Sequence, residues 1–196
     1  MRSNALATGP LNHRHRSAGA RLEVVAGWEV AVHYPGQEGA GPNRILDCSH
    51  RSVQEINGSD TGEQLASVCG AEVQVRAIHS AAGLDAYRLT RSRAVLFGSA
   101  SASQAVDVTG GWASLALSGP DARSILNKVS ALDLRDTTLP VGGCCQGPVF
   151  GVNVLFGHFA DRYELHSCPD MLEFLWDVVC DAGREFGLHP VGWSEE

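Results

Sequence analysis

Two aspartates occupy matching places in the sequence and are the first candidates for chemistry. Asp47 precedes Ser49 by two positions, and Asp107 precedes Thr109 by the same step. A carboxylate in such a place could act as a base or anchor a ligand. It can also accept hydrogen bonds from the backbone amides of the adjoining turn, and we favour this structural role for both residues.

Two histidines flank a predicted hairpin and are candidates for a metal pair. They are His158 and His166, and facing side chains of neighbouring strands come close enough to share a ligand. No third ligand lies near them in the sequence. We therefore interpret both as structural histidines at exposed strand ends.

The six cysteines are scattered through apolar segments rather than grouped as metal ligands. No C-x-x-C spacing occurs, and two adjacent thiolates are poorly placed for tetrahedral coordination. No secretory hydrophobic segment precedes them, so we expect reduced core thiols and no disulfides. The adjacent pair in a predicted loop has no neighbouring charge to make it reactive, and we expect it to be inert. The six are Cys48, Cys69, Cys144, Cys145, Cys168 and Cys180.

Sequence signatures of catalysis and cofactor binding are absent. The chain contains no G-x-G-x-x-G after a strand, no P-loop, no H-E-x-x-H, no G-x-S-x-G and no EF-hand loop. From the residues alone we therefore assign no catalytic, cofactor-binding or metal-binding residue.

Two segments that must position these candidates follow the same plan, one from Ile45 to Gly70 and one from Ala105 to Leu134. Each begins with the aspartate and its hydroxyl residue, runs through a short alternating strand to Gly-x-Asp, and continues into a short helix. The two registers agree to one residue. An ordered series that occurs twice indicates an internal duplication, and helices this short need a sheet to pack on.

The helix of the second segment is the better specified of the two. Pro120 suits its first turn, and Ser118 with Asp121 fits a capping box. Its expected core stripe consists of Ala122, Ile125, Leu126 and Val129. The helix of the first segment is expected to end at Gly70.

Alternating apolar residues predict the remaining strands. They fall at Trp28–Val32, at Val73–Ala77, at Tyr87–Leu89 and at Ala94–Phe97, and a hairpin spans residues 150–165. Residues 188–193 are predicted to add an edge strand. The sequence therefore predicts an α+β fold, with antiparallel sheets and helices packed on them.

The longest helix is predicted to begin at Pro169 and to end near Phe186. Trp176, Val179 and Cys180 lie off its main apolar stripe, and a helix that is apolar beyond one face is deeply buried or docks on another protein. We expect these three residues to form part of a partner contact, so that Trp176→Asp would abolish assembly and leave the fold mostly intact. The expected core stripe is Met171, Phe174, Leu175, Val178, Ala182 and Phe186.

Residues 1–20 contain no acidic residue and no hydrophobic periodicity, and we predict a flexible tail. Its His13 and His15 could bind a metal or an acidic partner, but ordering a mobile segment costs entropy, and we favour a solvated arm. An organellar presequence is the other interpretation of its arginines, but the amphipathic helix is missing. Residues 21–196 are predicted to form one domain of two similar halves, about 21–98 and 99–196.

The composition excludes several classes of protein. The chain has 196 residues with 15 Lys and Arg against 22 Asp and Glu, a net charge of −7, which disfavours nucleic-acid binding. Its 44% hydrophobic residues can form a core. No stretch reaches the ~18 apolar residues that cross a bilayer. We expect a soluble cytoplasmic protein.

Four stretches of the chain resemble a known family. They are VDVTGGWASLALSGPDARSILNKVSALDL, LPVGGCCQ, FGVNVLF and RYELHSCPDMLEFLWDVVCDAGREFGL. They are similar to the folate-binding fold of the glycine-cleavage T-protein (aminomethyltransferase) superfamily, and within it to the gamma subunit of heterotetrameric sarcosine oxidase. The resemblance covers residues 94–188, with weaker similarity over 45–70. It implies a duplicated β-β-α-β-β-β-α unit.

The resemblance also implies a function. The chain would be a non-catalytic subunit that packs on larger flavin-containing subunits, which hold FAD, FMN and NAD and oxidise the N-methyl group of sarcosine, while tetrahydrofolate captures the one-carbon unit. Aminomethyltransferases carry a Gly-Gly-x-x-Asp-Asp type turn that residues 157–162 lack, so their catalytic residues are not carried over. The alternatives are a stand-alone folate-binding enzyme, with Asp107 as ligand anchor, and an interaction module that kept only the fold.

Overall fold

A computed structural model describes residues 6–99 and 105–194. Fourteen strands lie in these two ranges and form three sheets. The strands are β1 (Ala7–Thr8), β2 (Arg21–Val25), β3 (Trp28–His33), β4 (Arg44–Asp47), β5 (Val53–Asn57), β6 (Ala77–Ala81), β7 (Leu84–Thr90), β8 (Arg93–Gly98), β9 (Val106–Asp107), β10 (Ala113–Ser118), β11 (Cys144–Val149), β12 (Val152–His158), β13 (Arg162–Ser167) and β14 (His189–Pro190).

The described residues also form four α-helices, which lie on the outer faces of the sheets or beside them. No helix in the two described ranges is long and apolar enough to cross a membrane. The helices are α1 (Asn12–Ser17), α2 (Thr61–Cys69), α3 (Ala122–Val129) and α4 (Leu172–Gly183).

The sheets and helices stack in four layers. A six-stranded sheet has the order β11-β12-β13-β10-β4-β14, and α3 and α4 cover one of its faces. A five-stranded sheet has the order β6-β7-β8-β5-β9, and α2 covers its outer face. The two remaining sheet faces meet in a third core. The predicted α+β fold is confirmed, and a small sheet of order β1-β3-β2 packs beside it.

The predicted repeat appears as two halves that exchange a strand. The second half has the order β9-β10-α3-β11-β12-β13-α4, and the first half has β4-β5-α2-β6-β7-β8 in its described residues. The first strand of each half pairs with the second strand of the other half, because β4 lies against β10 and β9 lies against β5. Neither half therefore has a complete sheet by itself.

Most of the predicted helices and strands are confirmed, and several begin or end where the sequence predicts. Helix α2 ends at Gly70, whose φ of +68° gives the left-handed C-terminal turn that glycine favours. The four residues of the expected α3 stripe are all buried. The hairpin forms as β12 and β13, and residues 189–190 add an edge strand to β4. The long helix is helical throughout Pro169–Phe186, with 3-10 turns at both ends.

Two local predictions are wrong. The strand expected from Val73 begins only at Ala77, because Arg76 has a φ of +65° that an extended strand does not allow. The capping box at α3 does not form, since the Asp121 carboxylate accepts a hydrogen bond from Asn43 Nδ2 at 2.9 Å instead. Asn43 Oδ1 in turn accepts from the Asp121 amide, at 3.0 Å, so a side chain from another part of the fold replaces the local cap.

The flexible tail expected over residues 1–20 is wrong for residues 6–20, while residues 1–5 lie outside the described residues. Strand β1 pairs with β3, and both Leu11, just before α1, and His15, within it, are buried. The imidazole ring of His15 makes the main polar contacts between this segment and the rest of the fold. Its Nε2 lies 3.0 Å from Asp47 Oδ2, and its Nδ1 lies 2.5 Å from the Tyr34 hydroxyl. The polar local sequence gives no indication of α1, because this helix depends on partners that are distant in the chain.

Helix α1 covers the face of α4 that we expected to contact a partner. Trp176 and Val179 are buried, and the His15 ring packs edge-on against Trp176 with 5.7 Å between ring centres. The expectation of a partner contact there is therefore wrong, because the chain covers this face itself. Met171 and Phe174, expected in the core, are exposed by 42% and 44%.

A glycine inside β12 shows how tightly the two inner sheet faces pack. A Cβ atom on Gly157 would lie 2.3 Å from the hydroxyl of Tyr87 in the opposite sheet. We expect Gly157→Ala to lower the free energy of unfolding by about 1–3 kcal/mol through overpacking, measured by urea unfolding. Gly111→Ala is the matched control, because no atom of the described residues, its chain neighbours apart, lies within 4 Å of a Cβ placed there. Equal effects of the two substitutions would contradict this packing.

Candidate functional site

Charged side chains meet between the two sheets, at the centre of the molecule. Arg51 follows β4 and forms a two-pronged salt bridge with Glu164 of β13, with N–O distances of 3.2 and 2.9 Å. Arg51 also donates to Asp85 of β7 at 2.9 Å, and Arg162 donates to Glu164 at 2.9 Å. We call these four residues the central ion cluster. It joins both sheets, because Asp85 belongs to one and Glu164 to the other.

A chain of neutral side chains extends from the central ion cluster. The Tyr87 hydroxyl donates to Glu164 at 3.1 Å, and His166 Nε2 lies 2.9 Å from that hydroxyl oxygen. Ser114 Oγ lies 2.8 Å from His166 Nδ1. Since the hydroxyl proton of Tyr87 is used on Glu164, Nε2 must donate and Nδ1 must accept. With His166 neutral, each donor in this chain of side chains therefore has an acceptor.

Burial and charge explain the pKa values of this chain of groups. Burial raises the pKa of Glu164, but the positive charges beside it, Arg51 first, outweigh burial and lower its pKa to about 2. Burial lowers the pKa of His166 to about 3, against the opposing effect of Glu164. Burial also raises the pKa of Tyr87. At neutral pH the site therefore holds a charged carboxylate beside a neutral histidine.

Acid should weaken the fold through these two groups. An unfolded chain binds a proton at His166 below about pH 6.5, and the folded chain resists until about pH 3, so stability falls as the pH drops through that window. Glu164 adds a loss from about pH 4.5 down to about 2. Urea unfolding near pH 7 and near pH 5 should show a lower free energy at about pH 5. In His166→Gln this difference should shrink, and an unchanged difference would contradict the assignment.

A cleft of about 550 Å³ opens beside the central ion cluster, on the inner face of the six-stranded sheet. Leu46 and Ala116 form its apolar floor, and Trp193 of the C-terminal segment forms one wall. Arg51, Arg162 and Glu164 reach it from the central ion cluster, and Arg44 lies at its side. The cleft therefore combines a flat aromatic wall with guanidinium groups.

The two aspartates have the structural role that we favoured. Asp47 Oδ1 accepts from the Ser49 amide at 2.9 Å, and Asp107 Oδ1 accepts from the Thr109 amide at 2.9 Å. The hydroxyl residues then tie the halves together, because Ser49 Oγ accepts from the amide at the start of β10 and Thr109 Oγ1 accepts from the amide at the start of β5. These turns fix the strand exchange.

The two histidines lie neither at exposed strand ends nor opposite each other. His158 is opposite Tyr163 in the hairpin register and stacks on its ring, and His166 is opposite Leu155. Both histidines are buried, because β12 and β13 lie in the middle of the six-stranded sheet rather than at its rim.

The cysteines are all free in the described residues. Cys144 and Cys145 lie in β11 rather than in a loop, and burial raises the pKa of both thiols, that of Cys144 to about 12. Burial therefore favours the protonated, less nucleophilic form of both thiols. Cys168 is exposed, so the expectation of a core thiol is wrong at that position.

Comparison with known proteins places this architecture in a family. The family model described as "GCVT N-terminal domain" matches residues 80–194. The chain belongs to this family. The matched residues contain β7, β13 and the hairpin, and therefore three of the four residues of the central ion cluster.

The curated relatives that this chain matches are longer than the chain. The aminomethyltransferase of Desulfitobacterium hafniense (strain DSM 10664 / DCB-2) is 26% identical over 224 residues, covering 93% of this chain and 60% of its own length. That of Streptomyces avermitilis is 27% identical over 232 residues, covering 99% and 62%. The chain thus spans about 60% of the length of the curated relatives it matches.

Two solved structures have the same fold as this GCVT-family chain. Glycine cleavage system aminomethyltransferase T from Bartonella henselae matches with a TM-score of 0.74 at 18% identity, over 95% of this chain and 60% of that one. A chain of heterotetrameric sarcosine oxidase from Corynebacterium sp. U-96, in complex with pyrrole 2-carboxylate, matches with a TM-score of 0.68 at 15% identity. That match covers 96% of this chain and 97% of the other.

The central ion cluster is the part of the candidate site that the sequence did not predict. Its members are far apart in the chain, since Arg51 and Glu164 are separated by 113 positions. A signal was present in β13, where Glu164 stands between the apolar residues Tyr163 and Leu165 of a central strand. A charged residue in such a strand must find a partner inside the protein.

Proposed function

We propose that this chain is a small, non-catalytic subunit of gamma type in a heterotetrameric sarcosine oxidase-like complex. The complex would oxidatively demethylate sarcosine or a related N-methyl amine and pass the one-carbon unit to tetrahydrofolate. FAD, FMN and NAD would belong to larger partner subunits. The observation that supports this proposal most is the match with one chain of a heterotetrameric sarcosine oxidase, which covers 96% of this chain and 97% of that one.

The centre of the domain supports a non-catalytic role. Arg51 and Arg162 both bond Glu164, and Tyr87 and His166 complete their hydrogen bonds with other side chains of the protein. Arg51 Nε is buried without a hydrogen-bond partner among the described residues, but its two terminal nitrogens are both bonded to Glu164. Groups that are paired in a buried network are poor candidates to bind and release a substrate. The short hairpin turn at residues 159–161 has a single acidic residue, Asp161, in place of an acidic pair.

The test is purification of the full chain, tagged at one end and then at the other, from its native host. We expect larger chains to copurify, with flavin absorbance that bleaches when sarcosine is added. Flavin-bearing partners that bleach with a different N-methyl amine would support the complex and change the substrate. A colourless single chain from both tagged forms would contradict the proposal.

The cleft favours one alternative, a stand-alone folate-binding protein. Its aromatic wall, Trp193, suits a flat ring, and the guanidinium of Arg44 suits a carboxylate. Asp107, the anchor first considered, does not line this cleft and is held by its own turn. Calorimetric titration of the isolated chain with tetrahydrofolate tests this alternative. Binding that weakens in Arg44→Ala would support it, and no measurable heat of binding would exclude it.

A further inference from the structure

Among the described residues, one edge of strand β2 has no neighbouring strand. It is the last strand of the sheet β1-β3-β2, and its register with β3 places a two-residue turn between Val25 and Trp28. The turn residues Ala26 and Gly27 have φ values of +49° and +83°. Two positive φ values are typical of a type I′ turn, which joins two antiparallel strands without splaying them.

The turn determines which backbone groups of β2 point outward. The pair that flanks a two-residue turn is hydrogen-bonded, and bonded and non-bonded pairs then alternate along the hairpin. Val25 and Glu23 therefore direct their amide and carbonyl groups toward β3, and Val24 and Leu22 direct theirs away from the sheet. Within residues 6–99 and 105–194, no backbone hydrogen bond from outside the hairpin reaches Leu22 or Val24.

The side chains of β2 are exposed together with this edge. Val24 is 65% exposed, a large value for an apolar side chain in a strand. The Arg21 and Glu23 side chains, on the opposite face of the strand, are 68% and 55% exposed. Their mutual ion pair, with 3.3 Å between Nε and Oε1, is exposed and contributes little stability.

The residues beside the strand leave room for a second chain. Ala18 and Gly19 precede β2, Ala26 and Gly27 follow it, and all four are exposed and small. Natural edge strands are commonly protected by proline, by a bulge in the strand or by a covering loop. Strand β2 has no proline, and the irregular pairing between Arg21 and Leu22 places the additional residue, Val32, in β3 rather than in β2. In the described part of the chain no strand covers this side of β2.

We propose that two copies of this chain pair antiparallel along β2, about a twofold axis at Leu22. In this register the outward-pointing amide of Leu22 donates a hydrogen bond to the carbonyl of Leu22 in the second copy, and its carbonyl accepts one from the amide of that residue. Arg21 of each copy then stands opposite Glu23 of the other, which gives two reciprocal opposite-charge pairs at cross-strand distance. Val24 lies opposite Ala20 of the second copy, so the pairing also covers exposed apolar surface.

The charges of Arg21 and Glu23 favour this register over its neighbours, and they favour a second copy of the chain as the partner. An axis at Arg21 would place arginine opposite arginine, and an axis at Glu23 would place glutamate opposite glutamate. Like charges directly opposite each other are destabilising. Of the symmetric antiparallel registers centred between Arg21 and Val24, only the one at Leu22 matches both charges. The inference is independent of the proposed function, because it concerns the purified chain alone.

Sedimentation velocity of the purified full chain, over a wide range of concentration, is the test. We expect a reversible monomer–dimer equilibrium. Arg21→Glu and Glu23→Arg should each weaken dimerisation by about tenfold, since each turns two attractive cross-strand pairs into two repulsive ones. The double variant, with both substitutions, should restore it. Arg91→Glu is the matched control, because it makes the same charge change at an exposed turn and should leave the dimer unchanged.

A backbone variant gives a second measurement. Val24→Pro removes an amide that points away from β3, a position that edge strands tolerate, and it should abolish dimerisation while circular dichroism stays unchanged. The three charge variants decide the question even where this variant fails to fold, because they leave the backbone intact. A chain that is monomeric at every concentration would overturn the proposal. So would a dimer that none of the variants weakens, or a double variant that remains as weak as the single ones.

Discussion

Glu164→Gln is expected to lower the free energy of unfolding by about 3–5 kcal/mol, because it removes the negative charge around which a buried cluster is built. The side chain of Glu164 is 2% exposed, and it accepts from Arg51, from Arg162 and from Tyr87. The amide of Gln has nearly the same shape. It leaves two guanidinium groups without their carboxylate, and its NH2 group faces donors.

Urea unfolding of the full chain near neutral pH measures this loss. Glu63→Gln is the matched control, since Glu63 lies exposed on α2 and the substitution should change stability by less than about 0.5 kcal/mol. Arg51→Gln and the double variant Arg51→Gln, Glu164→Gln complete a double-mutant cycle. The two losses should differ from additivity by about 0.5–3 kcal/mol, because the residues share one network. Additive losses would show that Arg51 and Glu164 do not stabilise the fold as one network.

The repeated local pattern could be predicted because it depends on short-range interactions. Asp47 and Asp107 each bond an amide two residues on, and a carboxylate makes that contact wherever the turn forms. Helix α2 likewise ends where Gly70 allows a left-handed residue. Signals of this kind lie within a few residues of each other, so one sequence is enough to reveal them.

The strand exchange and the central ion cluster depend on interactions that the local sequence does not contain. Nothing near β4 indicates that it pairs with β10 rather than with its neighbour β5. The partners of Glu164 come from a turn after β4 and from another sheet, and only the folded chain brings them together. Strand alternation predicts which face of a strand is buried, but not which face of another sheet it meets.

Helix α1 could not be predicted from the local sequence, for a related reason. Six residues do not form a stable helix in water, and the segment has no acidic residue in its first turn. Its stability comes from tertiary burial, with Leu11 fully buried and His15 held between Tyr34, Asp47 and Trp176. The breadth of apolar surface on α4 was a correct signal for a partner. That partner is the N-terminal segment of the same chain.

Trp176→Asp is therefore expected to damage the isolated fold rather than an assembly surface. Trp176 is 9% exposed beneath α1, and the substitution both removes a large ring and places a carboxylate in the space. Loss of the ring alone costs about 3–5 kcal/mol. We expect a loss of at least that size in urea unfolding, and α1 should separate from α4 before the rest of the domain unfolds.

Limited trypsin digestion reports the state of α1 directly, because Arg14 and Arg16 lie within it and bond Asp177 and Glu29 in the folded chain. Cleavage at these two sites should be slow in the native chain and much faster in Trp176→Asp. Phe174→Asp is the matched control on the same helix, since Phe174 is 44% exposed and its substitution should leave α1 protected. If Trp176→Asp kept native stability and slow cleavage, α1 would not be packed as the structure shows. If Trp176→Asp is unstable, its failure to assemble with larger chains would reflect the loss of α1 packing and not the loss of a contact surface. Phe174→Asp would then be the variant that tests the exposed side of α4 as a partner surface.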